Sequence, residues 1–522
     1  MRFNTHWTRR PRWALLLTAA CAAVVCALLG AAPAQARWLR AESPKFIVFS
    51  DGDEMRLREQ VQQLEMFDAV LRAAHQLDPK GLPPRKLTIY LVKDHAGLAR
   101  MWPGEPERIS GLYNASPGDI SAIAIRDSKE TTHRAANQDT WEESTLFHEY
   151  THHFMLQNFP FGFPTWLIEG YAEYYGATTV DGGHIETGKF SAGRVYELDG
   201  LPWLPMQDVL GKRLDQIPEK QWSMFYAQSW LLTHYLKSDP ARSRQLIAYM
   251  IDVGKGGDPV TAMQKATGMD MVALTQALHG YLKGRLSFTV FNNKSVATPE
   301  IAVSTMPASA DALLLEAEHV RHGVARSERD SVLKIVREKA AGFPDDRLAQ
   351  ITLAHAEIKM GDRKTGEAIL DRLIAKDPND VEALALAGES RLDAGDQEKD
   401  YDKTRADYQA SQSFIARAFK LDPNRYQTLS SYARSRRMLD QTYPSDNTLE
   451  ALLAALDFAP QVAQIRFEAA DGMMRRKRWA EARSIITPLA NDPHNPGGAR
   501  AARDLLERIN DEAAAEAKAK GG

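Results

Sequence analysis

The pattern of apolar and polar positions in the first quarter of the chain predicts strands that alternate with helices. Short apolar runs at residues 45–50 and 87–92 predict two buried strands, and the amphipathic stretch over 54–76 predicts a long helix between them. Two further apolar runs, 109–113 and 120–125, flank a turn-forming segment and predict two more strands. We expect residues 120–125 to form the edge of the sheet, where an extended peptide can pair.

Further along, the apolar spacing changes from that of a strand to that of a helix. A four-residue spacing predicts a helix with one buried face, formed by Leu146, Tyr150 and Phe154. Residues 140–143 have the form of a capping box, which predicts the start of this helix just before the buried stripe. Two prolines and a glycine within residues 158–164 end it.

A second helix is predicted directly after this break. Thr165 is a residue type that can cap its first turn, and Gly176 is one that can end it. Gly170 lies in its interior, where glycine costs about 1 kcal/mol relative to alanine. We therefore expect Gly170 to allow a close approach between the two consecutive helices. A strongly apolar third helix is predicted over residues 224–236.

Beyond about residue 310 the pattern is helical and repetitive. Four helix-ending turns have proline at their centre, at residues 377–379, 422–424, 459–461 and 492–494. Two Gly-Asp pairs, 361–362 and 395–396, stand 34 residues apart, a period that resembles tetratricopeptide repeats. The second unit carries an insertion over 397–410, and an irregular helical bundle is the alternative. Residues 511–522 are rich in Ala, Lys and Glu and are expected to fray.

The first of the two consecutive helices carries an H-E-x-x-H run. His148 and His152 project from one face, so that each can offer an imidazole nitrogen to Zn²⁺ at roughly 2.0–2.1 Å. Glu149 lies about 100° around the helix, off the metal but close enough to act as general base. A catalytic zinc needs a third protein ligand and an open position, and Glu169 on the second helix is the natural third. Glu173, four residues on, would orient a zinc-bound histidine.

These two segments together resemble the gluzincin metallopeptidases. Residues 166–172 have the form W-x-x-E-G-x-A, which is similar to the peptidase MA-like branch of that group. The resemblance implies His148, His152 and Glu169 as zinc ligands and Glu149 as the catalytic base. A pair of amphipathic helices with surface charges and satisfied histidines is the alternative.

The resemblance is strong over residues 140–176 and departs from the family pattern in two respects. Glu173 stands where the family usually has an aspartate, and the G-x-M-E-N motif of the related aminopeptidases is absent, which argues against removal of amino-terminal residues. Resembling families also place a tyrosine from a later helix over the zinc, where it donates to the oxyanion. Tyr226 is the candidate for this role, and simple packing is the alternative.

The first 36 residues predict a targeting segment. Four arginines precede an apolar run over residues 13–29, and residues 34–36 (Ala-Gln-Ala) form a cleavage site, while an uncleaved anchor is the alternative. Both cysteines, Cys21 and Cys26, lie in this segment, so the mature chain would have neither disulfides nor thiolate ligands. Its removal takes away four positive charges, which changes the formal net charge from −3 to −7 and leaves no basic stripe that would favour nucleic acid.

These patterns predict a signal peptide (1–36), an α+β zincin-like metallopeptidase domain (37–308), an all-α tetratricopeptide-like helical repeat domain (309–510) and a flexible tail (511–522). The expected function is an exported zinc-dependent peptidase, periplasmic or secreted, with no stable membrane span after signal removal. Its substrate would be a protein or peptide, and the repeats would hold that substrate or a partner protein. The alternatives are a non-catalytic repeat scaffold of the cell envelope with a peptidase-like binding lobe, and zinc-dependent hydrolysis of another bond.

Overall fold

A computed structural model describes residues 38–104, 109–126, 141–181, 183–189, 192–292 and 299–521. The predicted targeting segment and the first residue of the predicted capping box lie outside these ranges. Within them, the chain builds an N-terminal α/β region with a mixed sheet and a large all-helical C-terminal region. None of the helices in the described part is both long and apolar enough to cross a membrane.

The strands of the α/β region are short. They are β1 Leu39–Glu42, β2 Phe46–Ser50, β3 Leu87–Val92, β4 Gly111–Ala115, β5 Ile120–Ile125, β6 Thr179–Asp181, β7 His184–Thr187, β8 Thr289–Asn292 and β9 Ala302–Thr305. Six of them form a sheet in the order β4-β5-β3-β2-β1-β9, and β6, β7 and β8 form an antiparallel sheet. In the larger sheet β2, β3 and β5 are parallel, while β4, β1 and β9 run antiparallel to their neighbours.

The position of β5 corrects one expectation. The strand itself is confirmed at Ile120–Ile125, but the prediction that it forms the sheet edge is wrong, because β5 lies between β4 and β3. All six of its residues are buried. A continuous apolar run is what burial on both faces requires, whereas a strand with one exposed face alternates. The edge on this side of the sheet is therefore β4.

The helices of the α/β region cover the larger sheet and build the layer beside it. They are α1 Glu54–Ala74, α2 His95–Met101, α3 Trp141–Asn158, α4 Thr165–Gly176, α5 Ala192–Gly200, α6 Met206–Gly211, α7 Trp222–Lys237, α8 Pro240–Gly254, α9 Pro259–Thr267 and α10 Met271–Leu282. The predicted stripe of α3 is confirmed, since Leu146, Tyr150 and Phe154 are all buried. The predicted third helix is confirmed as α7.

The start and the interior of α4 differ from the sequence prediction. Thr165 is already helical, and its hydroxyl donates to the carbonyl oxygen of Asn491 (3.1 Å) instead of capping the helix. Gly170 does allow a close approach, but to α7 rather than to α3. A β-carbon at Gly170 would lie 2.5 Å from the carbonyl oxygen of Ser229 and 2.4 Å from Oγ1 of Thr233, both on α7.

The C-terminal region consists of helices joined by short turns. They are α11 Ala310–His322, α12 Arg329–Ala340, α13 Arg347–Met360, α14 Arg363–Lys376, α15 Val381–Gln397, α16 Tyr401–Leu421, α17 Tyr426–Arg436, α18 Asp446–Phe458, α19 Ala463–Arg475, α20 Trp479–Ile486 and α21 Pro496–Gly521. All four proline turns lie between consecutive helices, as the sequence predicts.

One detail differs from the expectation that both Gly-Asp pairs lie at the turn inside a helical pair. The pair Gly361–Asp362 separates α13 from α14, whereas residues 395–396 lie inside α15. The predicted insertion forms the turn before α16 and the first half of that long helix. The last helix, α21, continues through most of the segment that the sequence predicts as a flexible tail.

The helical region packs against the α/β region around a continuous apolar core. Tyr426 of α17 is fully buried in the same cluster as Trp166 of α4. Its hydroxyl donates to the carbonyl oxygen of Ser116, in the turn between β4 and β5, at 3.0 Å. Tyr90 of β3 likewise donates to Glu318 of α11 at 2.9 Å. The two regions are therefore held together along much of the repeat array.

The close approach of α4 and α7 yields a stability test. We expect Gly170→Ala to destabilise the fold by about 1–3 kcal/mol, because the added methyl group overpacks the contact with Ser229. Gly280→Ala in α10 is the matched control, since a β-carbon there has nothing within 4 Å and alanine favours helix by roughly 1 kcal/mol. Chemical denaturation of both variants measures the difference. Equal stability of the two variants would contradict the close approach.

Candidate metal centre

The structure brings three of the predicted residues together. His148 and His152 on α3 and Glu169 on α4 have ligand atoms that all lie within 4.8 Å of one another. The two Nε2 atoms are 3.1 Å apart. Oε2 of Glu169 lies 3.5 Å from Nε2 of His148 and 3.7 Å from Nε2 of His152. The four-residue spacing aligns the two imidazoles, and α4 packs against the face that carries them.

The arrangement fits a bound Zn²⁺. Glu169 is fully buried, and within the described structure neither of its carboxylate oxygens accepts a hydrogen bond of acceptable geometry. A buried carboxylate is costly unless a cation faces it, and either a metal ion or a protonated imidazole of His148 or His494 can be that cation. Tetrahedral ligands at zinc–nitrogen distances of about 2.0–2.1 Å lie roughly 3.3 Å from one another, near the separations of 3.1, 3.5 and 3.7 Å found here. Two histidines and one glutamate are also a known catalytic zinc set.

The pKa shifts of Glu169 and His152 favour metal ligation, whereas the pKa shift of His148 opposes it. Burial alone would raise the pKa of Glu169, but the surrounding imidazoles outweigh it and hold that pKa well below its usual value. Burial lowers the pKa of His152 well below its ordinary value, which leaves a neutral imidazole. Burial also acts to lower the pKa of His148, but the carboxylates of Glu169 and Glu173 outweigh it and raise that pKa. The raised pKa favours the protonated form of His148, with which a metal would compete.

Glu149 lies beside this set without belonging to it, as its position on the helix predicts. It is half-buried, and burial raises the pKa of its carboxyl group although the neighbouring His148 acts in the opposite direction. The backbone N–H of Tyr113 faces the carboxylate and acts to lower that pKa. Because Tyr113 belongs to β4, the edge of the sheet lies next to the candidate base. A carboxyl group with a raised pKa is suited to accept and release a proton near neutral pH.

Glu173 lies on the predicted side of the centre but makes a different contact. Its Oε1 is 3.7 Å from Nδ1 of His148, which is too long for a hydrogen bond. The carboxylate instead accepts two hydrogen bonds from Arg194, at 2.8 and 2.7 Å, and Arg194 also donates to Glu197 at 3.0 Å. Sequence reasoning missed Arg194 because it lies on α5, with no helical spacing that relates it to Glu173.

Tyr226 on α7 reaches the same neighbourhood. Its ring lies 5.4 Å from the guanidinium carbon of Arg194, a cation–π contact. Burial and the nearby carboxylates of Glu169 and Glu173 raise the pKa of its phenol above the ordinary value. The phenol therefore keeps its proton and can act as a hydrogen-bond donor near the centre. The oxyanion role of Tyr226 stays a prediction.

A histidine from the far end of the chain also reaches the centre. Nε2 of His494 lies 3.2 Å from Oε1 of Glu169 and 3.2 Å from Nε2 of His152. In the sequence, His494 is the last residue of the fourth proline turn, and the other three turns end in the amides Asn379, Asn424 and Gln461. A histidine in place of an amide distinguishes the fourth turn in the sequence. However, 342 residues separate His494 from His152, so the sequence gives no reason to pair them.

Comparisons with known proteins find likenesses in the helical region. No family model matches the chain, and no curated protein matches its sequence. A thermophilic tetratricopeptide repeat protein from Thermus thermophilus is similar to 39% of this chain over 98% of its own, with 18% sequence identity and a TM-score of 0.33. A tetratricopeptide repeat protein from Parabacteroides merdae is similar to 52% of this chain over 88% of its own. Its sequence identity is 11% and its TM-score is 0.28.

The ligand set yields a test of metal content. We expect about one Zn²⁺ per chain, lost when His148→Ala and His152→Ala are combined, because the double substitution removes both ligands of α3 and leaves too few to hold the ion. Elemental analysis after dialysis measures the zinc. His95→Ala, at an exposed histidine of α2, is the control and should retain the metal. Unchanged zinc in the double variant would rule out this ligand set.

A second test concerns the carboxylate behind His148. We expect Glu173→Ala to weaken zinc binding by about 10- to 100-fold, the usual scale when a residue that orients a ligand is lost. Glu197→Ala is the matched control, because Glu197 pairs with the same arginine and has no contact with His148 among those the structure describes. Competition with a chelator gives both affinities. If the two variants behave alike, Glu173 only anchors Arg194.

Proposed function

We propose that the protein is an exported zinc-dependent peptidase whose metal ligands are His148, His152 and Glu169. The observation that carries the proposal is the fully buried Glu169 carboxylate, which faces two imidazole nitrogens and accepts no hydrogen bond of acceptable geometry within the described structure. The half-buried carboxyl group of Glu149 lies next to the centre and off the ligand set, where a hydrolytic zinc site needs its general base.

The chain's own residues supply the remaining chemistry. Bound Zn²⁺ would polarise a carbonyl group and acidify a water molecule. Glu149 accepts the proton of the attacking water and then passes it to the departing amine. Tyr226 donates its phenolic hydrogen to the oxyanion that develops at the attacked carbonyl. Arg194 holds the ring of Tyr226 and the carboxylate of Glu173 in place on one side of the centre.

The substrate of this proposal is a protein or peptide in extended form. β4 is an edge strand, and among the described strands it pairs only with β5. Its residue Tyr113 touches Glu149, so a chain added along β4 would bring its backbone close to the base. The segment over residues 1–36, with its arginines, apolar run and Ala-Gln-Ala site, supports export to the periplasm or the medium.

A second candidate function is a scaffold that binds a partner without cleaving it. A cavity of about 340 Å³ lies on the inner face of the repeat helices, against the turn that carries Pro117 and Gly118. Charged side chains line it, among them Arg321, Lys359 and Arg425. This cavity favours binding of a polar partner by the repeats. It is compatible with the peptidase, for which the same face would hold the substrate.

The substitution Glu149→Gln separates the two functions. Glutamine keeps the size of the side chain but cannot accept a proton from water, so we expect hydrolysis of unstructured protein substrates to fall by at least about 10²-fold. Zinc content should not change, because Glu149 is not a ligand. Glu59→Gln, at an exposed carboxylate of α1, is the control and should hydrolyse like the unaltered protein.

Three outcomes are informative for this experiment. Cleavage that survives in Glu149→Gln would show that Glu149 is not the base. Equal inertness of both proteins, with zinc bound and partner binding intact, would favour the scaffold. Loss of zinc in Glu149→Gln would show that Glu149 belongs to the ligand set, against the geometry described here.

A further inference from the structure

We propose that His494 binds the metal as a fourth protein ligand, so that the repeat region closes the coordination position that a catalytic zinc keeps open. This inference rests on the proposed function, since it concerns the same metal. The centre then holds three histidines and one glutamate, and we expect this closed site to hydrolyse substrate more slowly than a site with three protein ligands.

Two distances at His494 match those between the other ligands, although the ligand atoms that all lie within 4.8 Å of one another are those of His148, His152 and Glu169. Its Nε2 lies 3.2 Å from Oε1 of Glu169 and 3.2 Å from Nε2 of His152, while the two helical histidines are 3.1 Å apart. Ligands of a tetrahedral zinc lie roughly 3.3 Å from one another. The two oxygens of Glu169 are divided between neighbours, with Oε2 facing the α3 histidines and Oε1 facing His494. His494 therefore approaches the centre at ligand spacing from the side of Glu169 and His152.

The exposed fractions of the side chains show that His494 lies on the solvent side of the centre. His494 is 49% exposed, whereas His152 is 4% exposed and Glu169 is fully buried. His494 thus stands between the buried ligands and solvent, where a water molecule or a substrate carbonyl would have to enter. A zinc site with four protein ligands is closed and structural, and one with three is open and catalytic. The position of His494 therefore decides which kind of site this is.

The turn is fixed at the break between α3 and α4. The side chain of Asn491 donates to the carbonyl oxygen of Phe163 at 3.2 Å, and the hydroxyl of Thr165 donates to the carbonyl oxygen of Asn491 at 3.1 Å. The backbone N–H of His494 donates to Oδ1 of Asp492 at 2.9 Å, which sets the direction of the turn. These contacts hold the end of the repeat array on the loop between the two helices that carry the ligands.

The experiment compares His494→Ala with the full unaltered chain, using Zn²⁺ and Co²⁺ as probes. We expect zinc affinity in chelator competition to fall by at least about 10-fold, the scale of losing even an orienting residue. The visible absorption of the Co²⁺ form should change and return when free imidazole is added. Hydrolysis of an unstructured protein should rise, because the fourth position opens. His95→Ala is again the control and should match the unaltered protein in every measurement.

Asn491→Ala is a second variant that keeps the imidazole and loosens the turn. It should shift zinc affinity and hydrolysis in the same directions as His494→Ala, by smaller factors. If His494→Ala changes neither the zinc affinity nor the Co²⁺ absorption, the inference about His494 is wrong, while the proposed function is not affected. Hydrolysis that falls while affinity is unchanged would also overturn the inference, because His494 would then act on the substrate. Absence of zinc from the unaltered protein would instead overturn the proposed function.

Discussion

The arrangement of the centre depends on the buried carboxylate of Glu169. Moving a charged group out of water is expensive unless opposite charge or hydrogen-bond donors surround it. Around Glu169, imidazole rings from α3 and from the last turn of the repeat region supply the only polar side-chain neighbours that the described structure places within 3.7 Å. Both elements are thereby directed to one point, and a metal ion at that point would satisfy all of them together.

The elements around this point are positioned by packing rather than by polar contacts. The absence of a β-carbon at Gly170 lets α4 lie against the backbone of α7, which also carries Tyr226. The buried face of α3 packs on the sheet, with Tyr150 next to Phe46 of β2. The edge strand β4 then lies beside Glu149. A layer of helices on a mixed sheet thus brings Glu149, the three candidate ligands and the edge strand β4 close together.

The repeat region is part of this arrangement rather than an appendage. Tyr426 shares a core with the α/β region, and Asn491 is bonded to the loop between α3 and α4. A change in the packing of the last helices therefore changes the surroundings of Glu169 directly. Coupling between two sites needs an element with two arrangements that each site favours differently. The turn at residues 491–494 is placed where such an element would act, between the array and the metal centre.

Much of the local structure and the core of the centre could be predicted from the sequence. The period of apolar residues gives β3, β5 and α3 closely, because each depends on which face of one element is buried. The spacing of His148 and His152 fixes their common face, and the motif around Glu169 indicates the helix opposite. Glu149 follows from the same helical geometry. All of these relations span a few residues, where backbone geometry alone sets the directions of side chains.

Only the tertiary structure decided the contacts between distant segments. Periodicity identifies an apolar strand such as β5 but not its neighbours, so the edge of the sheet was misplaced. The glycine at 170 indicates a close approach but not its partner, which is α7. The pairing of Arg194 with Glu173 and the arrival of His494 at Glu169 have no trace in local spacing. The sequence determined which residues are candidate metal ligands, whereas the packing of α3, α4 and the repeats decided which of them meet, because chain folding brings together residues that no local period relates.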